Sequence, residues 1–243
     1  MSPDAKLAAN RALAIAATLL AERFPEAQFA FVAGSIMRGQ GTVGSDIDMV
    51  VLYPRLDRAW RESIVAEGMP VEAFVHDRDS LEDFFGRDVE AGRPVMITMV
   101  VEGRLAGNDI SGARDLREKA KALLADGPAP LAGQRLQTML YQISDHVDDL
   151  RGERSAAEFR AIAAQLYPKL ADLMLLGRGH WSGAGKWLPR RLAAALPEAS
   201  IRFEAAFDAA FADEPRDLIT LCYEELERFG GPVFDGYRIE APA

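Results

Sequence analysis

The feature that most constrains this chain is a pair of aspartates at the head of an apolar strand. From Ala30 to Tyr53 the sequence reads AFVAGSIMRGQGTVGSDIDMVVLY. An apolar run enters a Gly34-Ser35 turn. Ten residues then separate Ser35 from Asp46, and one residue separates Asp46 from Asp48. Strand side chains alternate between faces, so Asp46 and Asp48 share one face while Ile47, Met49 and Val51 take the other. Two carboxylates this close repel unless a positive charge lies between them. A hard divalent cation such as Mg2+, held by one or two carboxylates together with substrate phosphates, meets that need. Gly34 lets the backbone approach a phosphate closely, and Ser35 offers hydroxyl and backbone donors to it. The alternative for the aspartates is a polar strand start facing water.

At 243 residues the chain can hold one large domain or two small ones. Its formal net charge of −9 argues against a standing nucleic-acid partner, which usually demands a basic face, and is compatible with a cationic acceptor. Cys222 is the single cysteine, so no intramolecular disulfide forms; its apolar helical context reads as core. Lys6 and Arg11 ahead of Ala12–Ala21 mimic a short signal peptide. Ser2 and Pro3 instead fit the cap and first turn of a helix, with Lys6, Asn10, Thr18 and Glu22 as its polar stripe. The run is too short to cross a membrane. The expectation is a packed helix in a cytoplasmic protein without a membrane partner.

Further along, the pattern predicts strands over 27–33, 46–53 and 71–77. Helices are expected over Leu56–Glu67, from Asp79 to near Gly92, and over Gly112–Ala125. Pro94–Val101 is apolar throughout and reads as a strand covered on both faces. Asp126-Gly-Pro-Ala-Pro130 is the clearest linker. Beyond it Leu136, Leu140, Ile143, Val147 and Leu150 repeat at helical spacing, and Ser155-Ala-Ala-Glu158 reads as a capping box. Pro168 is expected to kink the helix that follows. Gly177–Lys186 reads as a loop, and Phe203, Phe207 and Phe211 as core packing on a later helix. Tyr141, Asp145, Asp148 and Asp149 share a helix side that is either a solvated face or an acidic wall for a cationic acceptor. His76 and His180 read as structural or exposed. The organisation expected is a domain over 1–127 and an all-helical domain over 131–243.

The Gly34-Ser35 turn, the ten-residue interval and Asp46-Ile47-Asp48 together resemble the signature of the DNA polymerase beta nucleotidyltransferase superfamily. Arg38 and Ser45 match positions usual in its minimal nucleotidyltransferase branch, and Glu72 falls where the family places its third carboxylate. The stretch Pro70–Asp77 with the acidic helix start after it is similar to kanamycin-type aminoglycoside nucleotidyltransferases, where a catalytic domain also precedes a helical one. The loop His180–Trp187 resembles loops of related transferases.

This resemblance implies an α+β fold: a small mixed-sheet nucleotidyltransferase domain with flanking helices, followed by a helical bundle on the acceptor side. It implies Mg2+-dependent transfer of a nucleoside monophosphate, with ATP as donor, onto a hydroxyl of a small, aminoglycoside-like molecule. Two Mg2+ ions would sit on Asp46 and Asp48 once the triphosphate is bound. Asp46, Asp48 and Glu72 would be catalytic, Glu72 as metal ligand or as general base. Gly34, Ser35, Arg38, Thr42, Ser45 and Lys186 would bind the nucleotide. For Arg38 the alternative is a surface salt bridge; for Thr42 and Ser45, ordinary loop roles; for Lys186, at a glycine-rich helix start, a solvated lysine. A homodimer is implied by the same relatives. Two rival functions stand beside this one: a protein-adenylylating enzyme of the minimal nucleotidyltransferase antitoxin type, and a non-catalytic nucleotide-binding module.

Overall fold

A computed structural model describes residues 1–107 and 109–240. Among these the chain is an α+β protein that divides into two compact units, Met1–Asp126 and Gly127–Ala243. The first unit opens with α1 (Pro3–Arg23). Ser2 caps it by accepting from the Ala5 N–H at 3.2 Å, and Pro3 occupies the first turn, where a missing N–H costs nothing.

Five strands follow the order β3-β4-β2-β1-β5: β1 (Phe29–Ala33), β2 (Ile47–Leu52), β3 (Trp60–Ala66), β4 (Met69–His76) and β5 (Arg104–Gly107). β2 and β4 run parallel, and every other neighbouring pair is antiparallel. α1 packs on the face carrying Ala30, Val32, Ile47, Met49 and Val51. The other face is covered by α2 (Arg78–Ala91), α3 (Val95–Glu102) and α4 (Ile110–Asp126). There Phe84 of α2 meets His76 edge-on, and Arg117 of α4 lies over the Phe31 ring. Phe29, Phe31, Val50 and Leu52 are buried beneath these helices, each contributing on the order of 1.5–3 kcal/mol.

Two elements differ from the sequence expectation. Leu56–Glu67 is not helical: its second half is β3, an edge strand antiparallel to β4. The hairpin turn is Glu67-Gly68, both residues at positive φ (48° and 77°), as a two-residue type I′ turn requires. Glutamate is unusual at that first position, which hides the turn from a sequence reading. Pro94–Val101 is not a strand: it forms α3, whose buried Met96, Ile97 and Val100 lie along one side. The Asp88 carboxylate accepts from the Ile97 N–H at 2.9 Å and so caps the helix. The exposed edge of β1 is taken instead by β5, just past Gly103. A Cβ at Gly103 would come within 2.5 Å of the Met99 carbonyl and 2.9 Å of Phe31 Cβ, so the helix-to-strand junction requires glycine.

The second unit is helical: α5 (Gly133–Arg151), α6 (Ala156–Leu176), α7 (Trp187–Ala195), α8 (Pro197–Phe211) and α9 (Arg216–Glu227). Leu140, Ile143, Val147 and Leu150 of α5 are buried in one core with Leu166, Leu170, Phe203, Phe207, Leu218 and Cys222. The Ser155–Glu158 capping box forms, and α6 continues through Pro168. The 177–186 loop is pinned at two points. Arg178 donates to both oxygens of buried Glu225, at 2.9 and 2.7 Å, and Ser182 Oγ donates to Asp172. No helix among the described residues is long and apolar enough to cross a membrane.

Candidate functional site

The parallel ladder of β2 and β4 builds the site. Its register sets Asp48 directly beside Glu72. Asp46 lies one residue ahead of β2, two positions from Asp48, and so falls on the same face. The three carboxylates are half-buried and offer oxygens that lie within 4.8 Å of one another. On the other flank of Asp48, β1 ends at its register partner Ala33, and Gly34 follows.

Gly34 is held at φ +98°, where side chains are rare. A Cβ there would stand 2.8 Å from Asp48 Oδ2. The backbone conformation therefore favours glycine, and any side chain there would displace the Asp48 carboxylate. The connector after it is tied by Ser45, whose Oγ accepts from Ser35 Oγ at 2.9 Å and from the Thr42 N–H at 2.8 Å. Ser35, Thr42 and Ser45 are thus brought together as one knot beside the carboxylates. Arg38 makes a salt bridge to Glu102 at 2.9 Å, and its charge still reaches Asp48.

Asp48 carries the electrostatic signature of the site. Its carboxyl is pushed up to about 6, first by burial and then by the neighbouring charges of Asp46 and Glu72. Arg38 and Arg61 pull the other way without cancelling the rise. Three carboxylates within 4.8 Å of one another, only partly offset by two guanidinium groups, fit a hard divalent cation with oxygen ligands. Asp46, Asp48 and Glu72 are the residues that would hold it.

Arg61 belongs to this constellation, and sequence reasoning missed it because its strand reads as helix. From β3 it bonds Glu72 and lies over the Phe74 ring, 5.0 Å from the centroid. The signal that could have found it is the β-favouring content of Trp60, Ile64 and Val65 with Gly68 just after them; the two-residue period appears only in the burial of the folded strand.

Lys186 belongs to the second unit, exposed at the cap position of α7. The α5 side with Tyr141 and three aspartates is partly spoken for. Asp148 pairs with Arg151 at 3.4 Å, Asp149 pairs with Arg154, and Tyr141 stacks flat on Tyr237 at 4.1 Å. His76 is buried and held down to about 4 by desolvation, so it stays neutral.

Among the described residues, grooves mark the first unit in two places. One of about 830 Å³ lies beyond the C-terminal ends of β2 and β4, lined by Tyr53, Arg55, Arg58 and Asp77, away from the carboxylates. The other, about 740 Å³, adjoins the Ser45 knot and is lined by Leu7, Ala8, Thr42, Val43 and Met69.

No family model matches the sequence, and no curated protein matches it. Among solved structures the chain is similar to a nucleotidyltransferase-like protein from Exiguobacterium sibiricum 255-15. The identity is 12%, the match covers 88% of this chain and 75% of that one, and the TM-score is 0.46. The chemistry of the site rests on its own side chains.

Proposed function

We propose that this chain is a Mg2+-dependent nucleotidyltransferase that moves a nucleoside monophosphate from a nucleoside triphosphate, with ATP the expected donor, onto a hydroxyl of a small molecule. The observation that carries the reading is the set Asp46, Asp48 and Glu72 brought within 4.8 Å of one another beside Gly34, whose φ of +98° favours glycine. In this reaction a hydroxyl oxygen attacks the α-phosphorus, the bond to the bridging oxygen breaks, and pyrophosphate leaves. Little covalent work falls to the protein; it must position the partners in line and offset charge. A bound divalent cation would neutralise the phosphates and acidify the attacking hydroxyl.

The chain's own residues divide the remaining tasks. Asp46 and Asp48 hold the cation. Glu72 serves as a third ligand or takes the hydroxyl proton. Gly34 opens the backbone to a phosphate, and the Ser35–Ser45–Thr42 knot holds that approach in shape. Arg38 offsets triphosphate charge. An aminoglycoside-like acceptor is the finer form of the same proposal. A cytoplasmic location, where nucleoside triphosphates are supplied, belongs with it.

The test is pyrophosphate release by the full chain from ATP and Mg2+ with a pool of hydroxylated acceptors, aminoglycosides included. Release is expected, chelation abolishes it and Asp48→Asn lowers it on the order of 10²-fold or more; release undiminished by Asp48→Asn overturns the assignment. One observation favours a second reading, transfer onto a protein: the groove beside Ser45 is largely apolar, with Leu7 and Val43 exposed along it. Label from ATP that appears on protein rather than on a small acceptor would select that reading.

A further inference from the structure

Among the described residues, Glu72 is the one carboxylate of the three that forms an ion pair. Its partner Arg61 stands opposite Phe74 in the β3–β4 ladder, and Ser63 stands opposite Glu72. Positions two apart in a strand share a face, so Arg61 reaches along the sheet surface onto Glu72. The Nη2 group donates to Glu72 Oε1 while the guanidinium rests on the Phe74 ring. The contact is therefore a built one, with an aromatic backing that fixes the plane of the fork. It is also exchangeable, since the Arg61 side chain is 56% exposed and that of Glu72 27%.

A divalent cation drawing on all three carboxylates must approach the group that Arg61 already neutralises. The guanidinium and the cation repel each other and compete for the same anion. We propose that Arg61 is a built-in competitor for the cation: it keeps Glu72 as its own counter-ion, and the third carboxylate joins the site only when Arg61 releases it. Before release the cation is held by Asp46 and Asp48 alone. A triphosphate presents the freed guanidinium with another anion, so the exchange is favoured when cation and nucleotide arrive together. This inference rests on the carboxylate set being a cation site, and it assigns Arg61 a positioning role rather than a chemical one.

The experiment titrates the full chain with Mn2+ alone, following free Mn2+ by electron paramagnetic resonance, for the unaltered chain, R61Q, R61K, E72Q and R61Q/E72Q. R61Q is expected to bind Mn2+ about 3–10-fold more tightly, the scale of a partly exposed charge pair. R61K falls between, because it keeps the charge but loses the fork and the ring contact. E72Q stays near the unaltered chain, and R61Q/E72Q loses most of the gain. Long-range repulsion is screened at high ionic strength, so a gain that persists in added salt marks contact competition. Unchanged or weaker binding by R61Q overturns the proposal, as does an equal gain when Glu72 is absent. Absence of Mn2+ uptake by every variant overturns the cation site itself, and this inference with it. Pyrophosphate release is read separately and reports on the transferase reading alone.

Discussion

Glu225 in the helical unit and Asp48 in the sheet unit are both drawn out of water, and the two are treated in opposite ways. Glu225, 4% exposed in the helical unit, is met by Arg178 on both oxygens and by Arg228 at 3.3 Å. Its charge is compensated within the fold, and it locks the 177–186 loop to α9. Asp48, in the sheet unit, has two further carboxylates as near neighbours and is pushed up to about 6. A fold that compensates one buried charge so fully has the means to compensate another. The crowding at Asp48 therefore reads as a site whose counter-charge arrives with a ligand, in keeping with the clustering of perturbed carboxylates at functional sites.

The largest test of this contrast is Asp48→Asn. It is expected to lower Mg2+-dependent pyrophosphate release on the order of 10²-fold or more, since a ligand and a charge are lost together. Initial rates at saturating ATP decide the matter. The opposite treatment of Glu225 predicts a large stability loss when its partner is removed. Arg178→Ala leaves a buried carboxylate half-compensated and should cost about 3–5 kcal/mol in urea unfolding.

A smaller effect carries the opposite sign. Asp48 is raised from the ordinary 3.8 to about 6 in the folded chain, so the folded state binds that proton more tightly than the unfolded state. Its unfavourable contribution is absent below pH 4, grows as pH rises toward 6, and is complete above it. Asp48→Asn is therefore expected to stabilise the cation-free protein by about 1–3 kcal/mol at pH 7 and by little at pH 4. His76, held down to about 4, acts in the reverse direction over the same range, and Asp88, also near 6, in the same direction. The difference between variant and parent across pH 4–7 isolates Asp48, and a flat difference would dissolve the contrast with Glu225. The smallest effect belongs to the helical unit: Ser155→Ala removes one side of the α6 capping box and should cost about 1 kcal/mol, read as a lowered urea midpoint.

Legibility followed the range of the interactions involved. Ser2 and Ser155 announced their helices because capping is decided within four residues. The heptad-like run of α5 announced its buried side for the same reason. β3 and α3 were misread, one in each direction. In β3 the turn depends on a glutamate at positive φ, a conformation the neighbouring hairpin strands impose. In α3 a mostly apolar run rich in β-branched residues favours strand by local preference. The Asp88 cap and the prior claim of β5 on the sheet edge override it. Arg61 was lost with β3, so the cation facing Glu72 could not be seen.

By itself the sequence determined that Asp46 and Asp48 form one local unit. A two-residue strand period is a property of adjacent residues, and it brings two carboxylates onto one face wherever the strand lies. What only the tertiary structure decided is the company those carboxylates keep. The parallel register of β2 and β4 sets Glu72 beside Asp48 across a gap of 23 residues in sequence that no local rule spans. The antiparallel hairpin then lays Arg61 onto Glu72. Charge–charge energies fall with distance in space and not in sequence, so the electrostatics of the site became readable only once the strands were paired.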